Sequence, residues 1–151
     1  TEKNANNFTT TYNYQTRNLV EQVLYADTTT RNMVYDRDGN VTQLTDQNGN
    51  VIVNVYDAVD LLDTRTITRA AGVGGTTFED HDWDGLYRRT RAENKEGATS
   101  ISTQTWFYDT LSQVDRETQQ IETWPVQTIQ RRFDGIGNRK QLTYPWSGPY
   151  R

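Results

Sequence analysis

The sequence predicts an all-β fold, an array of antiparallel β-hairpins. Three observations predict it. An aromatic-Asp pair recurs at Tyr35-Asp36, Tyr56-Asp57, Trp83-Asp84, Tyr108-Asp109 and Phe133-Asp134, separated by 21, 27, 25 and 25 positions. Asp36-Arg37-Asp38-Gly39 and Asp46-Gln47-Asn48-Gly49 are both D-x-x-G, the pattern of a type I turn closed by a left-handed glycine. The residues between these turns are Val, Ile, Thr, Leu and Tyr, which suit a pleated surface.

A fixed period of this length means one supersecondary unit repeated, each copy burying its face on its neighbours. Tyr14-Gln15 lies 21 positions before Tyr35 and reads as a sixth, degraded copy. The ladder of equivalent aromatics is therefore Tyr14, Tyr35, Tyr56, Trp83, Tyr108 and Phe133. Two positions earlier stand Tyr12, Met33, Asn54, His81, Trp106 and Arg131, on the same strand face. Six positions after each aromatic come Val20, Val41, Leu62, Arg89, Val114 and Arg139.

Composition agrees. Hydrophobic residues make up 33% of the 151, mean hydropathy is −0.92, and 11% are aromatic. That is too polar for an ordinary core and too aromatic, at a net charge of −4, for disorder. A sheet with two wet faces reconciles these numbers. There is no Cys, so there is no thiolate chemistry and no disulfide. No apolar run approaches the length of a membrane helix. The mild acidity and the lack of a Lys/Arg stripe give no reason to expect nucleic acid.

Along the chain, residues 1–11 read as a loose, polar segment. Residues 12–144 read as repeats starting near 14, 35, 56, 83, 108 and 133, and 145–151 as a tail. About eleven strands are expected, the first near Asn18–Tyr25 and the last near Asn138–Tyr144. Turn residues are Asp36, Gly39, Asp46, Gly49, Asp134 and Gly137. Asp60 takes the place of the third unit's turn glycine, and Asp tolerates the left-handed region. Tyr87 and Ser112 stand at that position in the next two units. Glu93 to Gly97 is expected as a turn, and Pro125 as a strand start or turn.

These residues resemble the YD repeat, also called the RHS repeat: strand-Tyr-Asp-x-x-Gly-Asn/Arg-Leu-strand-Asp-x-x-Gly-strand-Tyr. Residues 35–57 match nearly throughout, 133–143 match the first half, and 83–92 and 108–118 keep the aromatic-Asp pair without the turn glycine. The resemblance spans about 12–144. It implies hairpins joined edge to edge in a spiralling strip, with the aromatics stacked between turns. In that family such strips build hollow shells in bacterial polymorphic toxins and insecticidal toxin complexes, and they occur in teneurin adhesion proteins. It therefore implies a secreted or cell-surface setting. The family's aspartyl autoprotease does not carry over, because Tyr144-Pro145-Trp146-Ser147-Gly148-Pro149 does not match its D-P-x-G-type end.

Candidate chemistry is sparse. Asp80, Asp82 and Asp84 open like a calcium loop, but the twelfth position is Arg91 where a bidentate Glu is wanted, so an acidic strand end is the plainer reading. His81 is the one histidine and stands in an acidic strand. Gly135-Ile136-Gly137 is a lone G-x-G that the repeat explains as a turn. Asn7-Phe8-Thr9 and Asn40-Val41-Thr42 match the glycosylation pattern by chance in an Asn- and Thr-rich chain. Arg88, Arg89, Arg91, Arg131, Arg132 and Arg139 are read mainly as solvated ladder charge, with pairing to acidic residues across strands as the alternative. Trp124 and Trp146 fall off the repeat and could stack on sugar rings. The expectation is a protein without catalysis, cofactor or metal.

Width bears on role. About eleven strands at ~4.8 Å make a strip ~53 Å wide, which closes only to a radius of ~8 Å. Such a strip cannot enclose a folded cargo. The expected role is thus structural: a piece of a larger shell, or a subunit that adds further copies of itself through its sheet edges into an extracellular fibre. A glycan-binding adhesion module is the alternative.

Overall fold

The computed structural model describes residues 1–145. Trp146, one of the two sugar-stacking candidates, lies outside the described residues. Thirteen strands follow in chain order: β1 (Glu2–Lys3), β2 (Thr9–Tyr14), β3 (Val20–Leu24), β4 (Thr30–Tyr35), β5 (Val41–Thr45), β6 (Val51–Tyr56) and β7 (Leu62–Thr68), then β8 (Phe78–Trp83), β9 (Arg89–Glu96), β10 (Thr99–Tyr108), β11 (Val114–Ile121), β12 (Gln127–Phe133) and β13 (Arg139–Thr143). No helix occurs among the described residues. The fold is all-β, a strip of antiparallel hairpins.

The chain divides into two compact units, Thr1–Phe78 and Glu79–Arg151. In the first, β1 to β7 lie side by side in chain order, each antiparallel to the next. In the second, β9 to β13 do the same. Only hairpins connect neighbours, so every pairing is local.

The turns explain the strand ends. In the six turns that follow the ladder aromatics, the first residue's N–H donates to the carbonyl four residues on: Gln15 to Leu19, Asp36 to Asn40, Asp57 to Leu61, Asp84 to Arg88, Asp109 to Gln113 and Asp134 to Asn138. The residue three after the first is left-handed: Asn18, Gly39, Asp60, Tyr87, Ser112 and Gly137, with φ between 61° and 99°. The units without a turn glycine thus keep the same geometry. At five of these turns the pairing register shifts beside the aromatic, as a G1-type bulge requires.

Residues 1–11 are not loose. Glu2 pairs with Thr10 and Lys3 with Thr9 around a turn at Asn4–Asn7. The Asn4 side-chain oxygen accepts the N–H groups of Asn6 and Phe8, and Asn7 is left-handed at φ 64°. An Asn here does the work of the later aspartates. β1 and β2 are the strands that bring the total from eleven to thirteen. The Glu93–Gly97 turn is also revised. β9 runs on to Glu96 because Lys95 and Glu96 pair with Ser100 and Thr99.

The strip has almost no apolar core. Among the described residues Val23 is the one buried hydrophobic side chain, and the other buried residues are Asn54, His81 and Glu93. Strand alternation still separates two faces. Met33, Tyr35, Ile52, Asn54 and Tyr56 are half-buried or buried, while Val34, Val53 and Val55 between them are exposed.

Left-handed backbone costs a side-chain-bearing residue about 1 kcal/mol, and glycine escapes that cost. Tyr87 holds φ 61° with its side chain 61% exposed, so little contact offsets the strain. Tyr87→Gly should raise stability by about 1 kcal/mol in urea titration. An unchanged or lower midpoint would contradict the turn assignment.

Candidate functional site

The structure repeats one arrangement, the contact by which each hairpin unit grips the next. It begins at the turn aspartate. Oδ1 of Asp36 accepts the N–H groups of Asp38, Gly39 and Asn40. Asp46, Asp57, Asp84, Asp109 and Asp134 each accept the N–H groups two and four residues on. The second oxygen takes a side chain at the fourth position: Asn40, Asn50, Arg88 and Asn138 donate to Asp36, Asp46, Asp84 and Asp134. Such donors favour the ionised form. The Asn50 amide holds the Asp46 carboxyl below the ordinary range, Arg88 does so for Asp84, and the Asn138 N–H does so for Asp134. At Asp36 desolvation is the largest single influence and pushes upward, but its donors together outweigh it.

With the turn fixed, the residue before each aspartate is aimed at the preceding unit. The Tyr35 hydroxyl donates to the Val20 carbonyl at 2.7 Å, Tyr56 to Val41 at 3.1 Å, and Tyr108 to Arg89 at 2.7 Å. Each acceptor is the residue six after the preceding aromatic. Phe133 has the same place without a hydroxyl. Trp83 lies under the Arg89 guanidinium, 4.8 Å from its centroid. Tyr14 is 54% exposed.

In several units the residue five after the aromatic reaches forward to the left-handed residue of the next turn. Asn40 Nδ2 donates to Asp60 Oδ1 at 2.7 Å, Arg88 to Ser112 Oγ at 2.9 Å, and Gln113 Nε2 to the Gly137 carbonyl at 3.2 Å. Leu19 supplies an apolar version: a Cβ on Gly39 would stand 4.0 Å from its Cδ1. Arg88 combines three contacts, since it also pairs with Asp84 at 2.7 Å and lies 4.4 Å over the Tyr108 ring. Arg17 adds bonds to the Asp36 and Arg37 carbonyls.

Side-chain ladders run along the sheet. Asn13 donates to Gln22 at 3.0 Å, and Gln22 to Asn32 at 2.9 Å. Buried Asn54 donates to the Val41 carbonyl at 2.7 Å and accepts from Arg65 at 2.9 Å. Arg131 pairs with Glu117 at 3.1 Å.

The calcium candidates do not converge. Asp80 and Asp82 face Arg91 at 3.0 and 3.4 Å, Arg91 also pairs with Glu93, and Glu93 with Lys95 at 3.2 Å. Asp84 turns into its own hairpin and Arg88. Arg91 thus takes up Asp80 and Asp82, and Arg88 separately takes up Asp84. His81 is 7% exposed, with Nε2 3.8 Å from Glu79. Asp36, Asp38 and Asp60 do approach one another, their ligand atoms within 4.8 Å, and the Asn40 amide donates to both Asp36 and Asp60. Sequence reasoning missed this pair of turns meeting. The signal was the 24-residue span from Asp36 to Asp60 seen against the repeat period.

Trp124 is 70% exposed and lines a cavity of about 660 Å³ with Gln119, Ile121, Glu122, Pro125 and Gln127. It follows a turn in which its N–H donates to the Ile121 carbonyl at 2.9 Å and Glu122 is left-handed at φ 47°.

No family model and no curated protein matches the sequence. Solved structures do match. The chain is similar to part of the Photorhabdus luminescens Tc holotoxin pore carrying the TccC3-D651A mutation, at 14% identity and a TM-score of 0.56 over 89% of this chain and 9% of that one. It is similar to TcdB2-TccC3 without the hypervariable C-terminal region, at 15% identity and a TM-score of 0.58 over 91% of this chain and 9% of that one. At this identity the likeness shows the fold, and it agrees with the strip of antiparallel hairpins read from the sequence. This chain spans about a tenth of their length.

The depressed carboxyls give a pH prediction. A group whose folded pKa lies below its unfolded value stabilises the fold above the unfolded value, ~3.9 for Asp, and stops doing so as pH falls through the folded value. Melting temperature should therefore hold from neutral pH to about 4 and fall steadily below it. Carbon-detected NMR should show Asp46, Asp84 and Asp134 titrating below the unfolded-chain value. Carboxyls titrating at the ordinary value would remove the turn argument.

Proposed function

We propose that this chain is a non-catalytic structural segment of a secreted or cell-surface assembly. It continues a strip of YD repeats into further repeats, as shell wall or as a fibre of successive copies. One observation carries the reading. By repeat position, Asn138 and Arg139 stand where three earlier units hold the unit that follows them. Asn138 stands five positions after Phe133, where Asn40, Arg88 and Gln113 grip the next turn. Arg139 stands six after, where Val20, Val41 and Arg89 accept the next tyrosine. The contact is thus set up for one more unit.

The chemistry supports a role without turnover. The turn carboxylates are occupied by backbone N–H groups, and Asp80, Asp82 and Glu93 by Arg91. The toxin-complex likeness supports an extracellular setting, and the contacts between units support other repeats of this kind as the partner, in the same chain or in another copy.

Electron cryomicroscopy of the native material is the test. The expected image shows a sheet running on past β13 at ~4.8 Å strand spacing, with an aromatic packed against the Arg139 carbonyl. An isolated, monodisperse chain whose β13 edge stays bare in the native material would overturn the reading. So would carboxylate-dependent turnover of any substrate.

A further inference from the structure

We propose that the seam between β11 and β12 holds a site for a free acidic amino acid, a ligand with two carboxylates and one ammonium group. This goes beyond the structural role and does not depend on it. The seam opens at one end. β10 and β11 stay paired as far as Tyr108 and Val114, and β12 and β13 as far as Phe133 and Arg139. β11 and β12 pair from Gln119 and Gln127 to Arg116 and Gln130, and then part. At three earlier seams a tyrosine hydroxyl reaches back beyond the last paired residues, to the carbonyls of Val20, Val41 and Arg89. Here the equivalent residue is Phe133, which has no hydroxyl to give. A cavity of about 420 Å³ lies in this opening, and Phe107, Asp115, Arg116, Gln130, Arg131 and Arg132 line it. Its volume falls within the ~300–1,000 Å³ of ordinary small-molecule sites.

Register places the two guanidinium groups that would hold the carboxylates. Phe107 is opposite Arg116, Arg116 is opposite Gln130, and Arg132 follows Gln130 by two. These four therefore share one sheet face. Arg116 and Arg132 are diagonal neighbours, about 7–8 Å apart at the backbone. That separation suits two carboxylates joined by a short carbon chain, with the Gln130 amide between them. Arg116 lies over the Phe107 ring, 3.7 Å from its centroid. Stacking occupies the flat face of a guanidinium and leaves its N–H edge for a carboxylate. Among the described residues neither Arg116 nor Arg132 has an ion-pair partner.

The remaining lining selects for an ammonium group as well. Oδ1 of Asp115 and Nη1 of Arg131 are both buried without a hydrogen-bond partner, so they do not bond to each other. Such atoms are uncommon in folded chains. One accepts and the other donates, so a ligand that meets both carries a donor and an acceptor. The terminal torsion of an aspartate is broad, and turning it brings the Asp115 carboxylate to the cavity. An ammonium group there gives it the donor it lacks. The charge count agrees. Glu117 pairs with Arg131 at 3.1 Å and offsets it. Asp115 offsets one of Arg116 and Arg132, which leaves one net positive charge. An acidic amino acid carries one net negative charge.

L-Glutamate, L-aspartate and glutarate are the probes, each titrated into the full chain by calorimetry at low salt and neutral pH. Glutarate keeps two carboxylates and lacks the ammonium group. One of the two amino acids should bind with a Kd of about 1 mM or tighter, and glutarate about tenfold more weakly than L-glutamate. Arg132→Ala should weaken amino-acid binding about tenfold at unchanged melting temperature, because the Arg132 side chain is exposed. Asp115→Asn should bring L-glutamate and glutarate to about equal affinity. No binding of either amino acid at about 10 mM would overturn the proposal. So would glutarate binding as tightly as L-glutamate to the unaltered chain, or amino-acid binding that survives Arg132→Ala in a folded chain. Those two comparisons decide the matter even where Asp115→Asn fails to fold.

Discussion

The aspartate carboxylate at the head of each hairpin turn is the interaction on which the rest depends. It ties down two or three N–H groups that the left-handed residue would otherwise leave unpaired, and so fixes the bulge. The bulge sets which way the preceding aromatic faces. That aromatic's hydroxyl then finds the carbonyl of the unit before it, and the residue five after it finds the turn of the unit ahead. Each link is local in sequence, yet together they pass from unit to unit. Gln15 stands where the aspartate should be in the earliest repeat, and there Arg17 holds the next turn by its carbonyls instead.

A strip held this way needs little buried apolar surface. Polar side chains satisfied by neighbours replace the packed layer that an ordinary domain places over its sheet. Asn54, bonded to the Val41 carbonyl and Arg65, and Glu93, paired with Arg91 and Lys95, occupy positions that a conventional core would give to Leu or Ile. This explains how a chain with a mean hydropathy of −0.92 folds over its described residues. It also suits a function of extension, since each unit presents its successor with the same polar acceptors and donors.

Much of this was legible in the sequence. Tyr35-Asp36 and Tyr56-Asp57 with their D-x-x-G turns gave the period, the face and the strand class. What stayed hidden was hidden for physical reasons. Tyr87 and Ser112 are poor left-handed residues, held so by bonds to Asp84 and Asp109. Asn4 caps the opening hairpin as an aspartate would, but without the aromatic before it the turn gave no periodic signal. The acidic run Asp80-His81-Asp82 looked like a metal loop because Arg91, its neighbour across the sheet, is eleven residues from Asp80. The opening between β11 and β12 beside Asp115 required the β10–β11–β12 register, which spacing alone does not supply.

The central claim is that contacts between units, rather than a buried core, hold the strip. Differential scanning calorimetry tests it most directly, because the heat capacity of unfolding reports apolar surface exposed. An ordinary chain of 151 residues would show about 1.8–2.3 kcal/mol/K, from ~12–15 cal/mol/K per residue. The account predicts a cooperative transition with a value clearly below that range. A value within or above it would mean a substantial apolar core and would contradict the account.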